Sequence, residues 1–292
     1  MDLNTLKTID PWQWPEDADV TILKVLRDSK ANPDDRLLAA EFAGEITVIS
    51  DELAEALLSI LNSKESDPLR CTAATALGPV LEYTDTMEDE ADMPELEDVE
   101  ILISEETFTK IRETLRRHYM DADNSKELRR RALESSSRAP QSWHHEAVRA
   151  AYADSDEEWR LSAVFCMRYT PGFDNRILDA LKNKNPDIHY EAVCAAGEWG
   201  LEEAWPHISK ILTSKKTDKN LLLAAMDAVV GIRPEEAPEI LADFLNSTDP
   251  DIAAAAQEAI EMAEELSNED DDEFDDYADD YEDEDDDEDD KW

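Results

Sequence analysis

Six glycines in 292 residues are too few for a nucleotide-binding sheet protein rich in tight turns. No GxGxxG, GxxxxGK[ST] or GxSxG run occurs either. The three cysteines, Cys71, Cys166 and Cys194, have no framework spacing and sit in Ala-rich stretches. They read as buried reduced thiols rather than disulfides or metal ligands. The longest apolar-rich stretch, 221–232, is interrupted by Asp227. A membrane helix needs about 20 apolar residues, so none is expected. Basic residues are scarce, 28 Lys and Arg against 74 Asp and Glu, for a net charge of −46. The stretch 269–290 holds 18 acids and no base, yet the remainder, 1–267, is still strongly acidic. A phosphate backbone or an anionic membrane surface is therefore an unsuitable partner. The opening MDLNTLKTIDPWQW lacks a basic region followed by an apolar one, so no secretory signal is expected. A cytoplasmic protein without cofactors is the expectation.

What the chain does have is internal repetition. NPDDRLLAAEFAGE, SDPLRCTAATALG, SKELRRRALES, DEEWRLSAVFCM and NPDIHYEAVCAAG align on Arg36, Arg70, Arg129, Arg160 and His189. Two further segments align on Leu221 and Ala253. Three residues after each anchor stands an alanine: Ala39, Ala73, Ala132, Ala163, Ala192, Ala224 and Ala256. Four residues on come Ala43, Leu77, Ser136, Met167, Ala196, Ala228 and Ile260. Residues four apart share a helix face, so each anchor opens a helix with a small or apolar stripe. We call these the A helices. Between them lie apolar-striped B helices at 51–63, 104–120, 141–153, 173–184, 201–214 and 235–247. A helix at 15–30 reads as an unpaired first B helix, preceded by a cap segment at 1–14 carrying Trp12 and Trp14. The anchors recur at near-constant spacing except between Arg70 and Arg129, where the surplus is the acidic stretch 85–100, expected to be a loop.

This motif, D/N-P-D-[apolar]-R-x-x-A-x-x-[apolar]-[small]-G, resembles the short bacterial type of HEAT repeat over residues 15–266. The resemblance implies an all-α, right-handed helical-hairpin solenoid of about seven repeats. Residues 267–292 bury too little apolar area and carry too many like charges to fold alone, so they read as a disordered acidic tail. It also implies a structural ladder in which Arg36, Arg70, Arg129 and Arg160 each bond an acid near the start of a neighbouring repeat. Loss of the anchor Arg at His189, Leu221 and Ala253 confines that ladder to the first four repeats.

Catalytic constellations are sparse. Deoxyhypusine hydroxylases are HEAT-like enzymes with several His-Glu dipeptides around two irons. Here the one true pair is His145–Glu146, and the related His189 and Glu191 are separated by Tyr190 on an A helix. His118 and His207 stand alone, without zinc-ligand spacing. A basic strip, Lys110, Arg112, Arg116, Arg117, Arg129, Arg130 and Arg131, is expected to pair with the acidic stretch 85–100, or else to dock an acidic partner.

The reading these features support is a monomeric, non-enzymatic scaffold that binds a protein or peptide, basic by charge complementarity, on a concave B-helix surface. Candidate partner-binding residues are Trp143, His144, His145 and Trp205, with Phe274, Tyr277, Tyr281 and Trp292 on the tail. One alternative is that the acidic tail itself binds, as a chaperone or nucleic-acid mimic for a basic protein. Another is a HEAT-like enzyme handling a metal or pigment.

Overall fold

The computed structural model describes residues 2–90 and 101–279, and every regular element among them is helical. The chain divides into two compact units, 1–171 and 172–292. The first unit contains α1 (Leu3–Leu6), α2 (Ala18–Arg27), α3 (Pro33–Phe42), α4 (Asp51–Leu61) and α5 (Asp67–Ala76). It continues with α6 (Gly78–Glu90), α7 (Glu105–Met120), α8 (Lys126–Ser136), α9 (His144–Ala153) and α10 (Glu157–Cys166). The second contains α11 (Asp174–Ala180), α12 (Pro186–Glu198), α13 (Trp205–Thr213), α14 (Lys219–Ile232), α15 (Ala237–Leu241) and α16 (Pro250–Asp279).

The A helices α3, α5, α8, α10, α12, α14 and α16 start where the sequence places them. Asn32, Asn185 and Asp218 each accept from the amide two residues on, which satisfies one of the free donors of the first turn. All fourteen positions of the two aligned stripes are buried, from Ala39 and Ala43 to Ala256 and Ile260. Each B helix packs most closely on the A helix that follows it, so the hairpins are α2–α3, α4–α5, α7–α8, α9–α10, α11–α12, α13–α14 and α15–α16. The first B helix is therefore paired, a correction to its expected role as a lone cap.

Capping falls instead to α1, which buries Leu3 and Leu6, and to Trp14, whose ring lies 4.9 Å from that of Phe42. The Trp14 indole donates to the Leu6 and Ile9 carbonyls, at 3.1 and 3.2 Å, while Trp12 is left 73% exposed. The acidic insertion begins later than expected. Residues 85–90 belong to α6, which buries Val80 and Leu81 beneath it, and 91–100 lie outside the described residues. At the far end α16 passes the expected boundary at 266 and continues to Asp279. The rest of the expected tail, 280–292, lies outside the described residues.

The A row is the close-packed one in each unit. A Cβ on Gly44 would stand 2.3 Å from the Ala76 carbonyl oxygen, and one on Gly231 2.0 Å from that of Gly197. Hydrogen in place of a side chain lets consecutive A helices touch backbone to backbone. The B helices are more widely spaced and leave recesses between them.

Candidate interaction site on the B helices

The anchor arginines act as helix stoppers. Arg70 Nε donates to the Leu61 carbonyl at 3.1 Å, Arg129 Nε to Tyr119 at 2.9 Å, and Arg160 Nε to Tyr152 at 3.5 Å. Arg36 reaches the Leu26 carbonyl through Nη2 at 3.4 Å. Each partner is a carbonyl in the last turn of the preceding B helix, where acceptors lack intrahelical donors and a cation suits the dipole. The expected acid partner occurs for Arg36, paired with Glu65 at 2.8 Å. Arg70 instead takes Asn124 at 3.0 Å, and Arg129 lies over the rings of Tyr119 and Trp159. The link to an acid of the next repeat is made elsewhere by lysine. Lys126 bonds Asp156 and Lys219 bonds Asp249, each at 2.8 Å and each reaching one repeat further along the chain. These contacts raise the lysine pKa values and lower those of the aspartates through direct hydrogen bonds.

Recesses open on the B side of the first unit. One, of about 400 Å³, lies between α2 and α4 and is lined by Arg27, Glu55, Ser59, Ser63 and Glu65, among others. The second, of about 290 Å³, is lined by Thr109, Arg112, Glu113 and Arg116 of α7, with Gln141 before α9.

Trp143 and His144 stand beside this second recess, but His144 is fully buried, which corrects its reading as a surface residue. Its Nε2 lies 3.0 Å from Ser136 Oγ, and its Nδ1 accepts from the Gln141 amide at 2.8 Å. Burial pulls its pKa down to about 4, with the nearby Arg112 and Arg116 adding to that effect and the Gln141 backbone opposing it. Trp143 is sandwiched rather than free, with Tyr119 at 5.5 Å and the His144 ring at 3.8 Å. His145 is half-buried and has Arg149 Nη2 at 3.1 Å from its Nδ1. Trp205 belongs to the other unit, where Arg233 covers its ring at 4.7 Å. Phe274 and Tyr277 lie on the backbone of α16, and Tyr281 and Trp292 lie outside the described residues.

The other histidines are not isolated. His118 bridges Asn62 at 2.9 Å and Asn124 at 3.2 Å, and through Asn124 it joins Arg70. His189 and His207 meet Nε2 to Nε2 at 2.7 Å, one donating and the other accepting. Among the described residues no group of three or more His, Cys, Asp or Glu is arranged to hold a metal ion. The basic strip is largely consumed by ion pairs within the helices. Lys110 pairs with Glu55, and Arg130 and Arg131 pair with Glu127 and Glu134. Of the acidic stretch 85–100 with which the strip is expected to pair, residues 91–100 lie outside the described residues. Arg112, Arg116 and Gln141 were not singled out as a group by sequence; the signal was two arginines one turn apart with no acid four residues from either.

Comparison with known proteins bears on the fold. The family model described as HEAT repeats matches residues 175–261, which span α11 to the middle of α16. No curated protein matches the sequence. Among solved structures, human deoxyhypusine hydroxylase in complex with glycerol is 15% identical, with 90% of this chain and 88% of that one covered and a TM-score of 0.40. The archaeal HEAT-like repeats protein from Thermococcus onnurineus NA1 is 12% identical, with 85% and 98% covered and a TM-score of 0.37. Kap95p, in a structure with RanGDP, is 10% identical, with 88% and 42% covered and a TM-score of 0.42. No helix among the described residues is long and apolar enough to cross a membrane.

Proposed function

We propose, from the premise that this chain is a HEAT-repeat protein, that it is a non-enzymatic scaffold whose B-helix face binds a basic protein or peptide. The observation that carries the reading is the recess of about 400 Å³ between α2 and α4. Its walls carry the hydroxyls of Ser29, Ser59 and Ser63, the carboxylates of Glu55 and Glu65, which pair with Lys110 and Arg36, and the side chain of Arg27, on a chain of net charge −46. Such a field draws basic segments toward the surface and rejects nucleic acid. Hydroxyls and carboxylates of α4 and of the turns after α2 and α4 then accept from lysine, arginine and backbone donors.

Cross-linking mass spectrometry on the full chain and on a chain ending at Leu266 tests this. The shorter chain loses the acidic run from Glu269 but keeps the B-helix recess. Capture of the same partner by both, with cross-links on α2 and α4, is the expected outcome. Loss of the partner on truncation would transfer the binding to the acidic tail and end the B-face reading. Iron or a chromophore in the protein as isolated would overturn the non-enzymatic part.

A further inference from the structure

We infer that the recess on α7 is a binding site for a side-chain carboxylate of a partner peptide. This site is separate from the α2–α4 recess and does not depend on the reading given for it. Thr109, Arg112, Glu113 and Arg116 fall at helical spacing, so α7 presents them along one face. Other bases of the strip are spent on Glu55, Asn62, Glu127, Glu134 and the Tyr119 carbonyl. Arg112 and Arg116 alone in that strip have no hydrogen bond or ion pair to a described residue. Each lies over an aromatic ring instead, Arg112 at 5.0 Å from the Phe108 centroid and Arg116 at 5.7 Å from that of Trp143. A guanidinium that contacts a ring rather than an acid keeps its N–H groups for a planar acceptor.

One further donor faces the recess, and Arg112 Nε is buried behind it without a partner among the described residues. Gln141 Oε1 accepts from the Trp143 indole at 2.7 Å. An indole only donates, so the amide oxygen must face it, and the Gln141 NH₂ is left to donate into the recess. Two like charges one turn apart destabilise a helix, and a chain with 74 acids had ample means to neutralise them. Among the described residues the pair stays open while its neighbours are paired, which points to an anion supplied from outside them. Glu113 on the rim and the overall negative field disfavour a dianion such as phosphate. They suit one carboxylate flanked by a base, with the base on Glu113 and the carboxylate on Arg112 and Arg116.

The test uses the full chain labelled with ¹⁵N and follows the arginine Nε–H resonances, assigned with Arg112→Lys and Arg116→Lys. The probes are Ac-Lys-Glu-Lys-NH₂, Ac-Lys-Gln-Lys-NH₂ and inorganic phosphate. The glutamate peptide is expected to shift the Arg112 resonance saturably, and the glutamine peptide to bind at least about tenfold more weakly. The same peptide should shift the Arg116 resonance, and Arg112→Gln should abolish that saturable shift. No shift with the glutamate peptide, equal binding of both peptides, or tighter binding of phosphate would each overturn the proposal. Should Arg112→Gln fail to fold, the two-peptide comparison on the unaltered chain decides. None of these readouts involves α2 or α4, so the scaffold reading can fail independently.

Discussion

His144 accepts at Nδ1 and donates at Nε2, and its complete burial holds it in the neutral form. An unfolded chain takes up the imidazole proton near 6.5, whereas the folded one refuses it until about 4. Between those values the unfolded state binds more protons, so stability falls as pH drops through the window and this group adds nothing further below it. The full effect is roughly 3 kcal/mol. Urea midpoints of the native chain at pH 7.5 and 4.5 should therefore differ by more than those of His144→Leu. Equal differences would show that the imidazole is not desolvated. WHHEA alone did not disclose this. The face that each of two adjacent histidines takes depends on where α9 starts, and it starts at His144, three residues into the expected span. The alanines were readable because a small residue at constant spacing in seven helices has a single economical use, close approach.

Among the helices, the tightest contacts are those of the A row. Gly231→Ala would drive a Cβ into the Gly197 carbonyl, and neither backbone can give way without moving a whole helix. A loss of about 1–3 kcal/mol is expected in thermal or urea denaturation. Gly78→Ala should cost much less, because the nearest atoms there belong to the flexible Arg138 side chain. Lys219→Ala should also be mild, and its effect should vanish in high salt, since both Lys219 and Asp249 are open to solvent. The lysine ladder was masked by the arginine motif, although a base at the first helical position and an acid one repeat further on stand in the sequence in both cases. Hairpin partnership was hidden for another reason. Short loops flank most of the repeat helices on both sides, and only packing shows that each B helix leans on its successor. The weak last B helix was more legible: Pro238 sits in the first turn of α15, which has only 5 residues between two 3-10 turns.

At the scale of the molecule, charge dominates. A net −46 makes the compact state repel itself, and salt relieves that repulsion. Raising ionic strength from 0.01 to 0.15 M shortens the screening length from about 30 to 8 Å. The melting temperature of the full chain should rise accordingly, and by more than that of a chain ending at Leu266, from which 18 acids have been removed. An equal rise in both would place the strain within the helical repeats alone.

The backbone contacts of the A row also decide which repeats can be neighbours. Gly44 accepts only a neighbour whose residue at the crossing is as small as Ala76, and Gly197 needs Ala228 and Gly231 together. Beside Gly78, by contrast, there is room for the long side chain of Arg138. The repeats are thus not interchangeable bricks. Shuffling them, or duplicating one, should yield a folded chain only where each small-residue junction meets its match, so the order of the array is written into its spine.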